Sequence, residues 1–102
     1  MENPKYTKAI SELAKDGTTV MKVFGNSMTP IIKSGSTLTF QRSDKGYEKG
    51  DVVFCRCTGK FIDAHLITAK DDKRGYLISN NHGHDNGWTH KIFGKVVKIE
   101  FV

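Results

Sequence analysis

At 102 residues the chain is one small domain, near the size at which a single core sustains independent folding, and its 37% hydrophobic content, spread along the whole length, suits a compact β-rich domain rather than a disordered one. No apolar run approaches the roughly eighteen residues needed to cross a bilayer, and Met1-Glu2-Asn3-Pro4-Lys5-Tyr6 lacks the apolar core of a leader, so a soluble, cytoplasmic protein without a membrane partner is expected. The net charge of +5 suits an acidic partner, but its lysines are scattered with no dense basic run, which fits a solvated surface of mixed charge and leaves nucleic acid as an open alternative.

Residues 1–17 form the first unit and 18–102 the β domain. Over residues 4 to 15, Asn3 can cap a short amphipathic helix, Pro4 suits its first position, and Tyr6, Ile10, Leu13 and Ala14 are expected on one side before Gly17 ends it. It is too short to be a DNA-binding module. Thr19-Val20-Met21-Lys22-Val23-Phe24 is β-branched and aromatic, hence a strand, and Gly25 lets the backbone turn sharply at its end. Pro30 restricts Thr29, so Ser27 sits on a short rigid bend, with Ile31 and Ile32 plugging the core beneath it. Taken alone, Ser27 reads more readily as an ordinary turn cap than as a nucleophile.

Thr37-Leu38-Thr39-Phe40-Gln41 alternates as a half-buried strand, and residues 42 to 50 are a polar surface loop ending at Asp51, whose carboxylate is expected to bond turn amides. Val52 to Cys57 is a strand, Thr58-Gly59-Lys60 a hairpin turn, and Phe61 to Thr68 the returning strand. A turn at 71–75 precedes Tyr76-Leu77-Ile78; residues 79 to 90 read as a polar loop, and 91 to 102 as the strand that closes the sheet. The expected fold is mainly β, a small twisted β-barrel or coiled antiparallel sheet with one short N-terminal helix.

Five segments carry a resemblance: Gly25-Asn26-Ser27-Met28-Thr29-Pro30, Lys33-Ser34-Gly35-Ser36-Thr37-Leu38, Lys49-Gly50-Asp51-Val52-Val53-Phe54, Ala64-His65-Leu66-Ile67 and Ile92-Phe93-Gly94-Lys95-Val96-Val97. Their order and spacing resemble the serine peptidase superfamily of type I signal peptidases and LexA-like repressor peptidases. The resemblance implies a stand-alone soluble domain of the histidine-dyad type, with a phage or mobile-element origin as one context. It departs from the family at Ser36, where the turn usually carries an acid, and at Leu66, where the histidine form usually continues with arginine. No Ala-Gly or Cys-Gly pair offers a repressor-like self-cleavage site.

The resemblance makes Ser27 the nucleophile and His65 its general base, since a hydroxyl attacks a carbonyl only when a neighbour takes its proton and neutral imidazole does so near pH 7. The alternative for His65 is a strand histidine satisfied by a backbone carbonyl. Backbone amides around Gly25, Asn26 and Met28 are the candidates for substrate and oxyanion binding. Where the family commonly has Gly-Asp-Asn, this chain has Ser79-Asn80-Asn81, so Asp85 is the candidate orienting acid and Asp63 a poorer one. The expected substrate is a peptide or protein bound as an added strand, with no cofactor and with a homodimer left open. An inactive peptidase-fold module binding protein or nucleic acid is the other reading. Cys55 and Cys57 on one strand face, with His82 and His84, make a zinc site chemically conceivable without matching a standard module, and Trp88 reads as a core cap or a ligand platform.

Overall fold

The computed structural model describes residues 4–101. Helix α1 spans Pro4–Asp16 and buries Ala9 and Leu13, one turn apart, with Tyr6 and Ile10 partly covered beside them. Ala14, expected on this side, is exposed because it lies about 100° round the helix from Leu13. The helix closes where the Gly17 N–H donates to the Leu13 carbonyl at 3.0 Å; the Asn3 cap lies outside the described residues.

Seven strands follow: β1 (Thr18–Lys22), β2 (Thr37–Gln41), β3 (Val52–Cys57), β4 (Lys60–Asp71), β5 (Gly75–Ser79), β6 (Asp85–Thr89) and β7 (Ile92–Glu100). They form one antiparallel sheet in the order β1-β2-β7-β3-β4-β5-β6. The last strand therefore does not close a barrel. It inserts between β2 and β3, and the sheet stays open at the β1 and β6 edges.

Residues 79 to 90 are not one loop, because Asp85–Thr89 pairs with β5 as an edge strand. Asp, Asn and Gly give it no apolar alternation; main-chain pairing to a neighbour creates this strand, which side-chain pattern cannot reveal.

The sheet curls enough to cover two apolar clusters. Leu38, Phe40, Phe54, Met28 and Ile32 pack with α1 on one side, and Val53, Cys55, Cys57, Ile67 and Ile78 pack with Tyr47 on the other. β3 thus buries residues on both faces, which explains its unbroken apolar run. The curl also brings β6 over the β3–β4 hairpin, where Gly87 faces the Thr58 and Cys57 side chains.

Candidate active site

The wall bearing Ser27 is an irregular turn at the end of β1. Val23 still pairs beyond the strand, its N–H donating to Ser36 O at 2.9 Å and its carbonyl accepting from Gly35 N at 2.7 Å. Gly25 then takes φ 103°, a left-handed conformation that side chains strain to adopt, and its N–H donates to Ser34 Oγ at 3.1 Å. The next bonds run inside the turn: Thr29 N to Asn26 O at 3.2 Å and Ile32 N to Met28 O at 2.9 Å. Met28 and Ile32 bury their side chains while Ile31 stays exposed, so only one isoleucine plugs the core. Ser27 is left half-buried above them.

The facing wall is β4. Opposite Phe54 it carries an extra residue, since Val53 pairs with His65 but Cys55 pairs with Ile62. This bulge at Asp63-Ala64 immediately precedes His65, and bulges of this kind re-aim the side chains beside them. The ring Nδ1 lies 2.6 Å from Ala64 O. A carbonyl can only accept, so Nδ1 carries the hydrogen and Nε2 of the neutral ring keeps its lone pair. Burial holds the His65 pKa below its usual 6.5, against the Ala64 hydrogen bond and the Asp63 charge, which favour protonation; His84 nearby opposes it.

Neither candidate acid supplies the hydrogen bond to Nδ1. Asp63 accepts from Lys5 Nζ at 2.8 Å and from the Tyr6 phenol, whose pKa burial and this contact raise. The same ammonium reaches Lys22 O at 2.6 Å, so the first turn of α1 ties the end of β1 to β4. Asp85 accepts from the Ser79 hydroxyl at 2.6 Å, and Ser79 meets Thr68 Oγ1 at 2.8 Å. The Asp85 carboxylate therefore braces β6 against β5 and, through Ser79, against β4.

Two residues that sequence reasoning did not connect to Ser27 hold the serine turn. Asn81 donates from its backbone N to Ser27 O at 2.8 Å and from Nδ2 to Thr29 O at 2.9 Å. His82 Nε2 lies 3.0 Å from Asn26 O and 3.2 Å from Thr29 Oγ1. Asn80 shapes the loop that presents them, its Oδ1 accepting from the N–H groups of His82 and His84 at 2.8 and 3.0 Å. The departure from Gly-Asp-Asn keeps the final asparagine, and that side chain makes the cross-loop bond.

Ser27 and His65 line the same cleft, of about 290 Å³, with Gly25 and Met28 on one wall and Asn86 near the other; Asn26 is not among its lining residues. Among the described residues no hydrogen bond joins the Ser27 hydroxyl to the imidazole. The two motifs, 38 positions apart in the sequence, are thus brought to opposite walls of one cavity.

The Peptidase S24-like profile matches residues 2–97. The chain belongs to the Peptidase S24-like family. No curated protein aligns with it closely enough to count as a relative. Its family match covers both walls of the cleft and the 80–84 loop between β5 and β6.

The remaining motifs of this S24-like domain serve packing. Cys55 and Cys57 are free thiols buried in the second apolar cluster, and burial pushes Cys55 up to about 12 and Cys57 upward too, so both stay protonated. Among the described residues no group of three or more His, Cys, Asp or Glu is arranged to hold a metal ion. Trp88 carries the Arg74 guanidinium 4.1 Å from its ring centroid. Asp51 does accept from a turn amide, Glu48 N at 2.9 Å. Among the described residues no helix is long and apolar enough to cross a membrane.

Proposed function

We propose that this peptidase-fold domain is a serine endopeptidase in which Ser27 attacks the scissile carbonyl and His65 Nε2 takes its proton. One observation carries the reading: both side chains line one cleft, with the imidazole held by Ala64 O in the tautomer that leaves Nε2 basic. That carbonyl would do the orienting work otherwise given to a carboxylate, though without a negative charge to stabilise the imidazolium. The amides of Ser27 and Met28 are the proposed oxyanion donors, because the N–H groups of Gly25 and Thr29 are already donated to Ser34 and Asn26. Val23, Met28, Ile32, Phe61 and Ile62 give the cleft apolar walls suited to a side chain of an extended peptide.

The test is covalent labelling with an alkyl fluorophosphonate. Labelling should vanish in Ser27→Ala and fall by roughly a hundredfold or more in His65→Ala, the scale of general-base catalysis. Because burial lowers the His65 pKa, the basic form persists to more acid pH, so the rate should rise through a midpoint below 6.5 and be flat above it. Unlabelled wild-type protein between pH of about 6 and 9 would end the enzymatic reading.

A further inference from the structure

One polar group in the cleft has no work inside the protein. Asn86 Oδ1 is shut off from solvent and has no hydrogen-bond partner, although Asn86 lines the cleft together with Ser27 and His65. Native proteins satisfy nearly all such atoms, because a buried amide oxygen without a donor destabilises the fold. Where one persists at a cavity wall, a ligand that supplies the missing donor accounts for it.

The backbone around Asn86 points the same way. Ile78 pairs with Gly87 and Ser79 with Asp85, so Asn86 is the extra residue of a bulge on β6, opposed by nothing on β5. Gly87 beside it adopts φ 136°, which only glycine takes up readily. A bulge turns its extra residue out of the ladder's alternation, and here it gives an edge strand a side chain at the cleft. With β5 standing between β6 and β4, regular pairing alone gives no such reach to the histidine wall.

We propose that Asn86 anchors the main chain of a peptide in the cleft, its side chain rotating on the bulge so that its amide offers one donor and one acceptor to a peptide group that offers the same. This rests on the peptidase reading for the identity of the ligand. It adds a substrate-positioning residue on the histidine side and separates peptide binding from the chemistry at Ser27.

The experiment compares two serine probes on wild type, Asn86→Ala and Asn86→Leu: an alkyl fluorophosphonate, which has no peptide group, and an acetyl-trialanyl diphenyl phosphonate, which has several. The ratio of peptidyl to alkyl labelling rates should fall by roughly tenfold in both variants, the loss expected for one desolvated hydrogen bond. Tm should stay level or rise, most in Asn86→Leu, because the substitution removes an unpaired buried oxygen. Equal slowing of both probes, no slowing of either, or a lowered Tm would each overturn the assignment. If wild type reacts with neither probe, the peptidase reading has failed, and Asn86 is judged by binding alone. In an NMR titration of wild type with acetyl-tetraalanine amide, a saturating shift of the Asn86 side-chain amide supports the anchor, and an unmoved signal overturns it.

Discussion

The two walls of the cleft are held by different forces. His65 stands on β4, laddered to β3 and β5, with Ala64 in one apolar cluster and Ile67 in the other. Ser27 stands on an irregular turn whose exposed carbonyls are tied to the 80–84 loop by Asn81 and His82. His65 is therefore positioned by the core, which cannot change without loss of the fold. Ser27 is positioned by a turn that buries Met28 and Ile32 in that core but is also tied by polar contacts near the surface, and these can be removed one at a time. Mutations on the two sides should separate stability from reactivity.

The largest effect belongs to the core. Phe54 is fully buried on β3, stacked near Tyr6 and Phe93 with ring centroids 5.7 and 4.9 Å away, and directly opposite the bulge that precedes His65. Phe54→Ala should cost about 3–5 kcal/mol of stability. That is a large part of the roughly 5–15 kcal/mol available to a domain. Urea unfolding should show the midpoint falling steeply, with serine labelling lost in proportion to the unfolded fraction. A stable Phe54→Ala protein with a mispositioned histidine would break the comparison, because the core would then not be what holds that wall.

A smaller and sharper effect is expected across the cleft. Asn81→Ala keeps the backbone bond to Ser27 O but deletes the side-chain bond to Thr29 O. Stability should fall by only about 1 kcal/mol, the net worth of one such bond. Fluorophosphonate labelling should drop by roughly tenfold to a hundredfold, since small misplacement of a nucleophile is costly. If labelling and stability fall together, the turn is held by general packing and the distinction between the walls disappears.

The same contrast explains what could be read from the residues. β2 and β3 have the bounds expected from alternation and from β-branched runs, because buried side chains leave a period in the sequence. Ser27 and His65 were legible through motif order, and their shared cleft follows from where β1 and β4 end up. Three features left no such trace. β6 is held by main-chain pairing, so its polar residues read as loop. β7 enters the middle of the sheet, a matter of topology that strand pattern does not encode. Asp85, the expected orienting acid, bonds Ser79 instead, while the contact to the imidazole comes from a backbone carbonyl that every residue possesses. Asn81, His82 and Asn86 sit in an ordinary-looking polar stretch, and their roles depend on which loop they face.

The smallest effect tests how independent the two walls are. His84 belongs to the loop that shapes the serine side, yet its charge is one reason the His65 pKa is low. A second imidazolium near the ring disfavours its protonation, so His84→Ala should raise the His65 pKa and move the labelling midpoint to higher pH. Burial is the first cause and remains after the substitution, so the recovery toward 6.5 should be partial. Because His84 is exposed, added salt should shrink the difference between wild type and variant, while leaving the part due to burial in both. A shift that persists undiminished at high salt would mean that His84 acts by holding the loop against β4, making the serine side a structural support of the histidine wall.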